Sequence, residues 1–113
     1  MVQNRNKLIE LIIGNLSNVV VYELLGISID DEIIRGYYSK ELKVSLDKAK
    51  SYRGQINPLY SPLPDKDIVY IKDKIIKKVK AELQLRMSKG YGNIDLSLVE
   101  GIVDSTLKDM KIV

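Results

Sequence analysis

The residues best suited to chemistry in this 113-residue chain are the lysines of one short segment. Between Lys66 and Lys89 the chain carries eight basic residues and three acidic ones, a local excess of five positive charges. Lysine ammonium groups contact phosphate oxygens by charge alone, without reading the base sequence. A helix with these lysines on its outer face therefore predicts sequence-nonspecific binding of nucleic acid. A solvated outer face is the other interpretation of the same charges.

The candidate nucleic-acid-binding residues are cations of this segment together with the tyrosine that follows it. They are Lys72, Lys74, Lys77, Lys78, Lys80, Arg86, Lys89 and Tyr91. Lys72 and Arg86 fall on the apolar side of the predicted helix, so each either reaches past it to water or pairs with a carboxylate from another helix or subunit. The ring of Tyr91 could stack on a base. The alternative is that Gly90 ends the helix in the left-handed conformation and Gly92 completes a turn.

Catalysis and metal binding have few residues to draw on, because the chain contains neither histidine nor cysteine. Thiol catalysis, thiolate metal sites and Ser-His-Asp arrangements are therefore excluded. Glu100 and Asp104 lie four residues apart on one helical face, but carboxylate metal sites need such pairs from two or more helices. We expect no metal and no cofactor, and the composition leans against an enzyme without excluding one.

The positions of apolar residues predict the elements that must hold these side chains. Spacings of three and four predict helices at about residues 4–25, 28–53, 65–89 and 95–110. Residues 55–64 include three prolines and have no periodicity, so they predict a crossover between the second and third helices. The predicted fold class is all-α, with about four helices in a bundle or irregular array and a single domain over residues 1–113.

Local signals predict where these helices begin and end. Gly26 follows the first helix as a stop signal, and Ser28 with Asp31 resembles a capping box for the second. Ser97 with Glu100 predicts a second capping box at the start of the fourth helix. The cations that end the second helix suit the helix dipole; they are Lys48, Lys50 and Arg53. Residues 19–22 are rich in valine and are the one place where a strand competes with a helix.

The first helix carries apolar residues nearly all round. Such a helix either contributes to an interface between subunits or lies in the centre of its own chain. The first explanation predicts a homo-oligomer, most simply a dimer, whose interface residues are Ile9, Ile13, Leu16 and Val20. Gly14 in mid-helix costs about 1 kcal/mol relative to alanine, which suggests close packing of a neighbouring helix there.

The junction of the first two helices resembles the turn of helix-turn-helix DNA-binding proteins. The similarity covers residues 22–28 and the Ile33-Ile34-Arg35 sequence after them. It implies that the second helix enters the major groove of DNA. Asp30, Asp31 and Glu32 would then face phosphates of like charge, and a capped helix junction is the alternative.

Taken together, these patterns predict a non-catalytic helical interaction or assembly protein, a small subunit or adaptor that associates with itself. Its other protein partner is unknown. The alternative is a protein that binds nucleic acid without sequence preference, or an accessory to nucleic-acid machinery, in either case through the third helix. We expect a cytoplasmic protein without membrane contact, because polar residues interrupt the first apolar segment; these are Glu10, Asn15, Ser17, Asn18 and Glu23. The composition also suits a thermophile.

Overall fold

Four α-helices form the protein in its computed structural model, which describes residues 4–29, 31–58, 61–90 and 94–113. They are α1 (Arg5–Ser28), α2 (Glu32–Gly54), α3 (Asp65–Ser88) and α4 (Val99–Asp109), with a 3-10 turn at Leu96–Leu98. The predicted all-α fold class is confirmed, and residues 19–22 are helical. The path of the proline-rich crossover includes residues 59 and 60, which lie outside the described residues.

Helix α1 is the central element, and it packs against α2, α3 and α4, while α3 packs against α4. Its buried residues lie on almost every side of the helix, as a central helix requires. They are Leu8, Ile9, Ile12, Ile13, Leu16, Ser17, Val19, Val20, Val21, Leu24 and Leu25. The apolar excess of this segment is therefore explained within one chain.

The composition of α1 also meets the requirements for a membrane-spanning helix. Its 24 residues are long and apolar enough to cross a bilayer, although the polar interruptions predicted a poor span. Buried core helices and membrane spans share this all-round apolar character. In this fold, 61% of the most apolar window is buried against the rest of the chain.

The junction between α1 and α2 differs from the sequence prediction. The first helix continues through Gly26 to Ser28, whose hydroxyl donates a hydrogen bond to the backbone carbonyl of Leu24 (2.8 Å). Asp31 is the N-cap of α2, and its carboxylate accepts from the backbone N–H of Ile33 (2.9 Å). The predicted capping box of Ser28 with Asp31 is therefore wrong. The serine satisfies its own helix, and the aspartate alone caps the next one.

The start of α4 is also capped differently. Asp95 precedes the 3-10 turn and accepts from the backbone N–H of Ser97 (3.0 Å), so the predicted box of Ser97 with Glu100 is wrong. The capping acceptor lies two residues earlier than predicted, because an aspartate bonds readily to the backbone two residues ahead of it. At the end of α3, Gly90 has a φ of 91°, which confirms the predicted left-handed glycine.

Arg53, in the last turn of α2, is fully buried. Its Nε and Nη2 donate to the backbone carbonyl of Lys111 (3.1 and 2.7 Å), and Nη2 also donates to that of Ser61 (2.8 Å). Nη1 donates to the side-chain and backbone oxygens of Asn57 (2.5 and 3.3 Å). Burial lowers the pKa of Arg53, but an arginine stays charged in proteins. Every one of these acceptors is neutral, so the guanidinium acts as a donor hub and not as one half of an ion pair.

The carbonyl of Lys111 belongs to a C-terminal stretch that is held tightly against the fold. Lys111 has a φ of 59°, and the next residue, Ile112, is fully buried. The backbone N–H of Ile112 donates to Leu107 (3.0 Å), and its carbonyl accepts from Leu63 (3.1 Å). Arg53 therefore joins the end of α2, the segment that follows it and the C-terminal residues into one unit.

Candidate interaction surface

The predicted basic face of α3 is exposed. Helix α3 buries Ile71, Ile75, Val79 and Leu83, which lie on one side. Lys74, Lys77 and Lys78 lie away from that side and are exposed. Lys80 is half-buried, and Lys89, just after the helix, is exposed. Tyr91 lies outside the described residues. The lysines are thus brought together on one outer face, but the predicted stacking ring is not part of the described structure.

Carboxylates neutralise several of these cations locally. Lys72 bonds to Asp104 of α4 (2.8 Å), and this hydrogen bond raises the pKa of Lys72. The predicted pairing of this lysine with a carboxylate from another helix is confirmed. Lys77 pairs with Asp73 one turn earlier on the same helix (3.1 Å).

Two further cations of α3 also have partners within the helix. The Nε of Arg86 donates to Glu82 (2.8 Å). The ammonium of Lys74 lies 5.7 Å from the ring centroid of Tyr70, within cation–π distance. The net field of this face is therefore weaker than the count of lysines indicates.

The residues predicted to form a dimer interface on α1 lie inside the chain. Ile9, Ile13, Leu16 and Val20 are all buried, and three of them have no exposed surface at all. A side chain that already packs within its own chain cannot also form the contact surface for a second one. The predicted interface position is therefore corrected, and self-association stays a prediction that needs another surface.

Gly14 does not mark a close helix contact either. A Cβ atom built on Gly14 meets nothing within 4 Å. The glycine lines an open groove of about 510 Å³ between α1 and α3, whose polar walls include Asn15, Asn18, Lys78 and Glu82. The predicted close contact at Gly14 is wrong, because a missing side chain does not by itself bring a neighbour near.

Helix α2 carries an apolar stripe on its outer side that the sequence prediction missed. Its members Ile33, Tyr37 and Val44 are 86%, 59% and 44% exposed. At about 100° per residue they fall within about 40° of one another around the helix. Their spacing of four and seven residues was visible in the sequence, but the stripe through Tyr38 and Ala49 has a similar period and is the one that packs inward.

The end of this outer stripe nearest α1 is open, and further apolar residues are exposed beside it. Gly36 lies on the same side of α2, and a Cβ atom built on it meets nothing within 4 Å. Ile27, near the end of α1, is 66% exposed and lines the same shallow groove as Gly36. Ile34, in the first turn of α2, is also 41% exposed. The tip of the α1–α2 pair thus exposes several large apolar side chains.

The helix-turn-helix resemblance is weakened by the structure of this tip. Helix α1 runs straight through the residues that would form the turn. Asp31 and Glu32 at the start of α2 are exposed, so an approaching phosphate would meet carboxylates first.

Among the described residues, no group of three or more aspartates and glutamates is arranged to hold a metal ion. Of the predicted carboxylate pair, Asp104 is the partner of Lys72. No family model, characterised protein or solved structure matches this chain. Its function must therefore be inferred from the molecule's own surfaces.

Proposed function

We propose that the chain is a non-catalytic interaction or assembly protein that binds through the outer stripe of α2. The observation that carries the proposal is the exposure of Ile33, Tyr37 and Val44 on one line of a folded helix. Soluble proteins rarely expose a large apolar patch unless a partner covers it, and Ile33 and Tyr37 lie next to one another on successive turns.

The chemistry of the stripe fits a protein partner. Aromatic residues such as tyrosine are enriched at the desolvated centre of protein interfaces, which is more apolar than their polar rim. The Tyr37 ring is supported from behind, because it contacts the Tyr38 ring edge-on (centroids 5.9 Å), and Tyr38 stacks on Tyr22 (5.7 Å). A ring fixed in this way loses little side-chain freedom on binding.

The absence of cysteine makes a site-specific test simple. Single-cysteine variants Ile33→Cys and Val69→Cys would each be labelled with a benzophenone photo-cross-linker and illuminated in extract from the source cells. Val69 is the matched control, since it is a similarly exposed apolar residue (67%) on α3. We expect an adduct at position 33 that position 69 does not form. Equal labelling from both positions, or none from either, contradicts the proposal.

Nucleic-acid binding through α3 is the second candidate, and the shared outer face of Lys74, Lys77 and Lys78 favours it. Such binding would be weak, insensitive to sequence and steeply reduced by salt, because each neutralised phosphate releases a counterion. Changing Lys74, Lys77, Lys78 and Lys80 together to Glu should abolish it without unfolding the domain. If the wild type retards neither DNA nor RNA at about 50 mM salt, where such contacts are strong, this candidate is eliminated.

A further inference from the structure

We infer that the partner of the α2 outer stripe is a second copy of this chain, with the two α2 helices packed antiparallel about a twofold axis. This inference rests on the proposed function and identifies the occupant of the same surface. It replaces the interface predicted on α1, which is buried within the chain.

The spacing of the stripe is compatible with its own reversal. In an antiparallel pair of identical helices, the residue numbers of two facing residues have the same mean for every facing pair. Ile33 opposite Val44 of the second copy has the same midpoint as Tyr37 opposite Lys40 of the second copy. One register therefore places apolar on apolar at both ends and Tyr37 against Lys40 of the second copy twice near the centre, where two cation–π contacts are set against the repulsion between the two lysines.

One flanking pair of opposite charges is brought together in this register, and exposed Asp47, on the same side of the helix, lies equally close along the axis to Glu32 of the second copy. Glu32 and Lys43 are both exposed and lie on the same flank of the stripe, about 90° from Ile33 around the helix. A twofold axis keeps this flank on one side in both copies. Glu32 then lies two residue positions, or about 3 Å along the helix axis, from Lys43 of the second copy. The pair occurs twice by symmetry, at the rim where solvent-exposed ion pairs select a register.

The exposed glycine also suits a helix partner. Gly36 lies beside Ile33 and Tyr37 on the outer side, and a Cβ there would meet nothing within its own chain. Gly36 therefore places no side chain in the way of a second helix, and the other helical glycines of the described residues are open in the same way. A stripe of three turns is a small interface, so we expect a Kd of roughly 100 µM and not a nanomolar one.

Light scattering on the purified chain tests whether a second copy binds the outer stripe of α2. Over about 10 to 500 µM, the range that a micromolar Kd requires, the mass should rise from 12.8 kDa toward twice that value. Ile33→Lys should hold the mass at 12.8 kDa throughout, while the matched control Val69→Lys should behave as the wild type. A wild-type mass of 12.8 kDa over the whole range overturns the inference. If Ile33→Lys still forms the dimer, the interface does not lie on the outer stripe of α2, and that part of the inference is overturned.

Disulfide trapping tests the register. Residue 40 of each copy would lie three positions from its symmetry mate, about 4.5 Å along the axis, on facing sides. With helix axes about 8–10 Å apart and Cα atoms about 2.3 Å from each axis, the two Cα atoms would lie roughly 5.6–7 Å apart, and a disulfide joins Cα atoms about 4.4–6.8 Å apart. Lys40→Cys should form a covalent dimer at least about tenfold faster than Lys78→Cys on α3, because only the former is held in place. Equal rates overturn the antiparallel arrangement.

The inference and the proposed function fail separately. If position 33 cross-links to a different protein in extract while the purified chain stays at 12.8 kDa, the interaction function stands and the second copy is eliminated. If position 33 forms no adduct in extract and the chain stays at that mass, both fail.

Discussion

The two faces of α2 reverse the usual rule for burial. The inner face ends in Arg53, a charged residue with no exposed surface, and the outer face begins with Ile33, an apolar residue that is 86% exposed. Buried charges and exposed large apolar groups are the informative exceptions in a fold. The two exceptions differ in whether the chain itself accounts for them.

Arg53 is accounted for by its own chain. Its donors reach oxygens of Asn57, Ser61 and Lys111, so the cost of removing the charge from water is offset by hydrogen bonds. No contact among the described residues accounts for the exposure of Ile33. Arg53 is therefore explained by its own chain and Ile33 is not, and this difference is the reason for placing the proposed binding role on the outer face.

The largest expected effect is at the inner face. Arg53→Met keeps much of the volume but removes the donor that the carbonyls of Ser61 and Lys111 share at a fully buried position. Each orphaned acceptor costs about 1–3 kcal/mol, so the free energy of unfolding should fall by about 3 kcal/mol or more. Urea denaturation followed by circular dichroism measures this loss. Lys50→Met on the exposed side of the same helix is the control and should change it by less than about 0.5 kcal/mol.

Arg53→Lys separates the charge from the shape of the guanidinium. A lysine keeps the positive charge but cannot reproduce the planar fork that reaches three residues at once. We expect a loss of about 1.5 kcal/mol or more, since at least one acceptor stays unpaired. Wild-type stability in Arg53→Lys would mean that the charge alone matters, and the account of the inner face would be wrong.

A third exception, Gly14 in the middle of α1, sharpens the comparison because space beside it is open. Gly14→Ala should raise the free energy of unfolding by about 1 kcal/mol, since alanine favours the helix and meets no atom. Gly90→Ala is the opposite control and should destabilise by about 1 kcal/mol, because Gly90 has a positive φ. Destabilisation by Gly14→Ala in urea melts would indicate that something fills the groove.

Lys72 gives a smaller effect, because its charge is exposed and paired at the surface. Lys72→Met breaks the contact with Asp104 between α3 and α4. The melting temperature should fall by less than the change that Gly14→Ala causes, and the difference should shrink in about 1 M salt, where screening acts within about 3 Å. A drop as large as that of Arg53→Met would mean that the lysine has a structural role like that of the arginine.

The smallest stability effect is expected at the outer face. Ile33→Lys should leave the melting temperature of dilute protein almost unchanged, because Ile33 contributes little to the packing of its own chain. The measurement is a thermal melt at a concentration well below that of association. A clear loss of stability would mean that Ile33 supports the fold, and its exposure would no longer need a partner.

The sequence predicted much of the fold because helix periodicity is a local property. The stripes of α1, α3 and α4 identified their buried faces, and the left-handed Gly90 followed from its type and position. The exact caps were missed by a few residues, because serines and aspartates near a helix end offer several similar acceptors. Asp31 and not Ser28 caps α2 for this reason.

The surfaces could not be predicted in the same way. Arg53 bonds to Lys111, 58 residues away, and no local pattern carries that contact. Helix α2 has two apolar stripes of similar period, and only the packing against α1 decides which one stays outside. The predicted interface on α1 failed for the complementary reason, because three neighbouring helices of the same chain cover it.

The central claim is that the outer stripe of α2 binds a second copy while the core of α1 stays closed. Nuclear magnetic resonance of labelled protein, diluted from about 500 to 10 µM across the expected micromolar Kd, tests it residue by residue. The account predicts concentration-dependent shifts at Ile33, Gly36, Tyr37, Lys40 and Val44, with none at Ile13 or Val20 of α1. A spectrum that does not change on dilution, or changes confined to α3, would contradict it.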